Sequence, residues 1–155
     1  MYIISSCLLG NNCKYNGGNN RNGDVIRFYQ THSCCVVCPE TAGGLQSPRP
    51  PAEYSGERIL DRAGKDVTEA FRRGAEESWK HVLRQAEKRR EPVEGAVLKG
   101  NSPSCGSGSI YDGTFTGTTI PGDGCFVRIL KEHGIEVISE KEIDRWLTTK
   151  KKYQR

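Results

Sequence analysis

Four short apolar runs punctuate the chain, and between them apolar residues recur every three or four positions. Tyr2–Ser6, Cys34–Cys38 (CCVVC), Gly95–Leu98 and Ile135–Ile138 are continuous rather than alternating, the pattern of strands covered on both faces. Asp24 is placed to cap a helix carrying Val25, Phe28 and Tyr29 on one side. Thr68 opens the longest helix, to about Arg90. Phe71, Ala75, Trp79 (or Ser78), Val82 and Ala86 form its buried stripe, and Pro92 stops it. A further helix begins at Asp123 or Gly124, carries Phe126, Val127, Ile129 and Leu130, and ends at His133-Gly134. Ser139-Glu140-Lys141-Glu142 has the form of a capping box for a last helix through Leu147.

Strands alternating with helices predict parallel pairing and right-handed crossovers. The expected architecture is α/β: a single three-layer Rossmann-like domain with a mostly parallel sheet. An inserted Pro/Gly-rich loop, Pro39–Gly56, holds Pro39, Pro48, Pro50 and Pro51 and is expected to be neither helix nor central strand. Arg58–Leu60 and Lys65–Val67 flank Asp61–Gly64 as a small hairpin or bend. Gly10–Gly23, rich in Asn and Gly, is a loop containing a structured turn at Cys13–Gly17. A length of 155 residues fits one domain, assigned to residues 1–147, with a basic tail at 148–155.

Composition narrows the function classes. No apolar run approaches the roughly 20 residues of a membrane helix, and no secretory signal opens the chain, so a cytoplasmic location is expected. The net charge of +4 comes largely from Lys80–Arg90 and the terminal KKKYQR, a solvated helix face and a tail. No stable nucleic-acid complex is expected from it. Seven cysteines, an odd number unevenly spaced at 7, 13, 34, 35, 38, 105 and 125, do not make a disulfide framework. In a reducing compartment such a surplus points to metal or catalysis. Cys34, Cys35 and Cys125 lie within apolar runs and are expected to be buried small hydrophobes.

The segment most in need of a chemical explanation is Lys99–Gly113, KGNSPSCGSGSIYDG, which buries little apolar surface and sets Cys105 among serines and glycines. In open parallel sheets, ligands gather beyond the carboxyl ends of the strands. Cys7 follows the first strand, Cys38 ends the second and Cys105 follows the third, so all three are predicted at one edge. Cys34, four residues before Cys38, stands roughly 13 Å away at the rise of a strand. Three thiolates suit a zinc ion with a fourth ligand, or a [4Fe–4S] cluster with one iron free. The dispersed spacing lacks paired CxxC knuckles, which favours the cluster; Cys35-x-x-Cys38 lies in a predicted strand and is not a thioredoxin-like site. Glu40 and Ser102 stand beside these cysteines. A carboxylate there can move protons, although a loop ion pair for Glu40 and a turn-ordering role for Ser102 are the plainer readings.

SSCLLG at 5–10, CKYNG at 13–17, CPETAGGLQSPRPPAE at 38–53, GKDVTEAF at 64–71 and LKGNSPSCGSGSIYDG at 98–113 together resemble a bacterial family that includes thiouracil desulfidases. The resemblance runs from about Ile3 to Ser139. It implies a [4Fe–4S] cluster held by Cys7, Cys38 and Cys105 with one open iron, an acid/base role for Glu40 and a supporting catalytic role for Ser102. It implies also that Cys13, at a variable position, is dispensable as a thiol. The implied chemistry is hydrolytic, non-redox removal of sulfur from a thiolated pyrimidine, giving uracil and sulfide. Lys99, Asn101 and Ser104 are then candidate donors to the pyrimidine. The competing reading is a non-enzymatic iron–sulfur or zinc protein with a structural or sensing role.

Overall fold

The structure, a computed structural model, describes residues 1–147; the basic tail expected at 148–155 lies outside the described residues. Strands β1 (Tyr2–Ser5), β2 (Cys34–Val37), β5 (Gly95–Leu98) and β8 (Val137–Ser139) form one sheet in the order β2-β1-β5-β8. Every pairing in it is parallel, with Ile3 opposite both Cys35 and Ala96, and Val97 opposite Ile138. The four apolar runs are thus the four strands. The last is shifted by two residues toward the C-terminus from the expected Ile135 start, because Gly134 and Ile135 still belong to the turn closing the preceding helix.

Strand geometry sends alternate side chains to opposite faces, and both faces are covered. Ile3, Cys35, Val37, Ala96 and Leu98 pack against Ala75 and Val82 of α3 (Thr68–Arg89) and Phe126, Val127 and Leu130 of α4 (Cys125–Glu132). Tyr2, Ile4 and Val97 pack on the other side against Val25 and Phe28 of α1 (Gly23–Thr31) and Ile143 of a helical stretch over residues 143–147. In α3 the buried stripe takes Ser78, with Trp79 only partly covered.

Several local expectations are corrected. Asn22, not Asp24, caps α1: its carboxamide oxygen accepts from the Asp24 and Val25 N–H groups, and Asp24 instead pairs with Arg27. Ser139 accepts from the Lys141 N–H, but the turn that follows, Glu140–Glu142, is 3-10 rather than α. Pro39–Gly56 is not wholly irregular. Pro39 takes the first position of a one-turn helix α2 (Pro39–Ala42), where its missing N–H costs nothing, and Ala52–Ser55 forms β3. β3 pairs antiparallel with β4 (Arg58–Asp61), displacing the expected 58–60/65–67 hairpin, of which a single bridge between Leu60 and Asp66 remains. A second small hairpin, β6 (Ser109–Tyr111) with β7 (Thr119–Pro121), has almost no apolar signal and was not expected.

Two glycine contacts set the position of the sheet's carboxyl edge. α2 lies against α3 so closely that a Cβ on Gly74 would stand 1.8 Å from the Pro39 carbonyl oxygen. At the start of α4, the Gly124, Cys125 and Phe126 N–H groups donate to the carbonyls of Gly106, Pro103 and Ser104. A Cβ on Gly124 would come within 2.5 Å of the Ser104 backbone. One contact fixes the turn after β2 and the other the loop after β5.

Candidate active site

A cavity of about 420 Å³ opens beyond the carboxyl ends of β1, β2 and β5. Cys7, Cys13, Cys38 and Cys105 all line it, together with Glu40, Arg49, Lys99, Ser102 and Ser104. Cys7 sits in the 3-10 turn Ser6–Leu9 that follows β1, Cys38 caps α2, and Cys105 lies in the loop after β5. Ser5 ties two of these edges together, its buried hydroxyl accepting the Lys99 N–H at 3.0 Å. The remaining cysteines stand elsewhere: Cys34 opens β2 at its amino end, Cys35 is in the core and Cys125 points its thiol at the Phe71 carbonyl.

The thiols differ in their surroundings. Cys7 is held below the usual thiol range by a hydrogen bond from Cys13; burial opposes this, and Asn20 Nδ2 adds a donor at 3.3 Å. Cys13 accepts from Cys38, which lowers its pKa, but its own donation to Cys7 and its burial win and leave it raised. Cys38 is pushed far up by donating to Cys13 and by burial. Cys105 is pushed up to about 12, chiefly by burial, with the Glu40 carboxylate adding to it. The proton order is therefore Cys38 to Cys13 to Cys7, with the thiolate favoured at Cys7. Cys13, expected to be peripheral, lies between two of the three candidate ligands.

Glu40 is the centre of a directed hydrogen-bond chain. Its Oε1 pairs with Arg49 Nη2 at 3.1 Å, and its Oε2 accepts from Ser104 Oγ at 2.9 Å. Ser104 is 1% exposed, and its single proton is committed to Glu40. Ser102 Oγ, 3.3 Å away, therefore donates to Ser104 while accepting the Cys105 N–H at 2.8 Å. Ser102 reaches Glu40 only through Ser104. Arg49 also donates to the Cys13 and Gln46 carbonyls, and its buried Nε has no hydrogen-bond partner among the described residues. Arg49 was missed in the sequence because it stands in the Pro-rich stretch, nine positions from Glu40.

The candidate donors separate on inspection. Ser104 and Lys99 line the cavity, but the Lys99 ammonium is engaged by Glu140 Oε1 at 3.1 Å and by the Gly100 carbonyl. Asn101 does not line the cavity. It takes a left-handed turn at φ 69° and bridges to Ile110, a backbone role.

Among the described residues, no three His, Cys, Asp or Glu side chains are arranged around a single metal ion. A zinc site needs its donors within about 2.3 Å of one point. Cysteines that each bind a different iron of a cluster stand further apart, so an all-sulfur set spread along one cavity wall fits a cluster better than an ion.

Residues 2–142 match the family model described as 2-thiouracil desulfurase. The chain belongs to the 2-thiouracil desulfurase family. Among its relatives, the uncharacterized protein YbbK of Bacillus subtilis (strain 168) is 36% identical over 154 residues, covering 93% of this chain and 98% of its own. A solved structure of the [4Fe-4S]-dependent thiouracil desulfidase TudS superposes with a TM-score of 0.83 at 39% identity. That match covers 96% of this chain and 95% of the TudS chain. This member of the desulfurase family also has, among its described residues, no helix long and apolar enough to cross a membrane.

Proposed function

We propose that the protein is a thiouracil desulfidase, removing sulfur from a thiolated pyrimidine as sulfide by hydrolysis and without net electron transfer. Residues 1–147 act as one catalytic unit of Rossmann-like, three-layer form in the cytoplasm, with the Pro-rich segment after α2 as its insertion. The observation that carries the reading is the convergence of Cys7, Cys38 and Cys105 on the wall of the cavity that Glu40 enters, in a chain of this family. Held by those three thiolates, a [4Fe–4S] cluster would supply one iron without a protein ligand, a Lewis acid for the thiocarbonyl sulfur.

The protein's own part is proton handling and orientation. Glu40 takes the proton from the water that attacks the ring carbon, and returns one to the ring as the sulfur departs. Arg49 holds one oxygen of that carboxylate, leaving the Ser104 side as the place where protonation changes are felt. Ser102 and Ser104 reorient together, since each hydroxyl's proton is assigned by its neighbour. A protein whose cysteines served only structure would have no use for a buried carboxylate wired to two hydroxyls at the same cavity.

Anaerobic cluster reconstitution followed by sulfide assays on 2-thiouracil, 4-thiouracil and their nucleotides tests the proposal. Sulfide release matched by uracil formation, with no added reductant or oxidant, is expected. Cluster-loaded protein that releases no sulfide from any thiolated pyrimidine overturns it.

A further inference from the structure

The loop between β6 and β7, residues 112–118, is mostly exposed, yet Phe115 within it is half-buried and lines the active-site cavity. Its φ is 57°, a left-handed conformation that a bulky aromatic residue takes only when its surroundings impose it. The constraint is visible. Glu53, a β3 carboxylate that is 8% exposed, accepts the Gly113 N–H at 3.0 Å and the Phe115 N–H at 3.1 Å with the same oxygen. Gly113, at φ 96°, presses so closely on β3 that a Cβ there would stand 2.5 Å from the Tyr54 carbonyl oxygen. Arg62, from the turn after β4, lays its guanidinium over the phenyl ring, 5.4 Å from its centroid.

Three separate segments thus hold one ring in place, and the ring does not serve the core. Phe115 belongs to none of the three clusters of packed apolar side chains. A strained, clamped aromatic side chain at a cavity wall, outside the core, is a preorganised contact surface. Aromatic rings bind nucleobases by stacking on their π-faces.

We propose that Phe115 is the platform on which the pyrimidine ring of the substrate stacks, with Arg62 and Glu53 as the residues that position it. The inference deepens the desulfidase reading and rests on it for the identity of the ring. The platform acts on binding, not on the chemical step, so its loss raises KM and leaves kcat alone.

The test uses cluster-loaded protein and two readouts. Steady-state kinetics with 4-thiouracil give kcat and KM, while ligand-observed NMR gives Kd for uracil and for 5,6-dihydrouracil, which keeps the polar edge but lacks a planar π-ring. For Phe115→Ala, KM and the uracil Kd are expected to rise about ten-fold, with kcat within two-fold of the parent. Phe115→Tyr is expected to match the parent. Phe115→Leu retains apolar bulk, and is expected to lose the preference for uracil over dihydrouracil that the parent shows. Unchanged uracil affinity in Phe115→Ala, or a Leu variant that keeps the preference, overturns the platform. Absence of turnover by the parent protein would instead remove the desulfidase reading, and the NMR comparison would still report on the ring.

Discussion

Ser104 Oγ donates to Glu40 Oε2 at 2.9 Å, joining the loop after β5 to the one-turn helix after β2 across the cavity floor. The direction of this bond is set by its neighbours: the carboxylate can only accept, so the hydroxyl proton points at it, and Ser102 must donate inward. Removing the hydroxyl in Ser104→Ala leaves Ser102 without its acceptor and one Glu40 oxygen without its donor. We expect kcat to fall by about 10²-fold, in the range of lost general acid–base support, while iron content and cluster absorbance stay at the parent level. A variant with undiminished kcat would show that the serine pair only shapes the loop.

Glu40→Gln keeps the size of the side chain and a hydrogen-bonding oxygen for Arg49 but cannot take a proton. A fall in kcat of about 10²–10⁴-fold with retained cluster is expected. Iron and sulfide analysis alongside single-turnover sulfide release separates this outcome from simple loss of the cofactor. Equal turnover by the Gln variant would reduce Glu40 to the plain ion pair with Arg49.

The carboxyl-edge placement of Cys7, Cys38 and Cys105 was legible because each lies within two residues of the end of an apolar run or in the loop directly after one. Strand ends are visible in a sequence when the strands are buried on both faces. What the loops contributed was hidden. The choice between Ser102 and Ser104 depends on which hydroxyl the turn directs across the cavity, and spacing carries no such information. Arg49 and the β3–β4 pairing lie in or beside a proline-rich segment, where prolines argued against structure while the strand merely began after the last of them, Pro51. β6 and β7 escaped notice because their Ser, Thr and Pro residues are exposed or half-exposed and show no alternation.

The cysteines divide into two experimental classes. Cys7→Ser, Cys38→Ser and Cys105→Ser are each expected to lose the reconstituted cluster, measured as bound iron and visible absorbance. Cys34→Ser, at the amino end of β2, is expected to keep it. The free thiols of Cys38 and Cys105 lie well above neutrality, Cys105 at about 12, so their protons must leave as iron binds. Reconstitution is therefore expected to release protons and to be favoured as pH rises from 7 to 9. Cluster uptake that is independent of pH would contradict it.

Gly74 tests how the site is held in place. A methyl group there would stand 1.8 Å from the Pro39 carbonyl oxygen, with both partners backbone, so α2 itself has to move. Pro39 lies between Cys38 and Glu40, and the displacement passes to both. Gly74→Ala is expected to destabilise the fold by about 1–3 kcal/mol, the range of overpacking in a close-packed interior, even though alanine favours helix elsewhere. Denaturant unfolding measures the first effect and kcat the second. A variant as stable and as active as the parent would show that α2 can slide without moving the site.

Asp123 carries the one acid-sensitive support of the loop that holds Cys105. Partial burial raises its pKa, but the Lys131 hydrogen bond, the Gly108 N–H and the nearby charges of Lys131 and Arg128 outweigh this and leave it lowered. A carboxyl depressed in the folded state contributes stability above its unfolded pKa of about 3.9 and loses it as pH falls through the folded value. Asp123→Asn is therefore expected to cost about 0.5–1 kcal/mol at pH 7, allowing for solvent screening of a partly exposed pair. The gap between variant and parent should narrow below about pH 4, where the parent carboxylate takes up its own proton. Thermal unfolding at pH 7 and at progressively lower pH reads the difference directly. A gap that stays constant with pH would mean that the Asn side chain loses packing geometry rather than charge, and that Gly108 is held by shape alone.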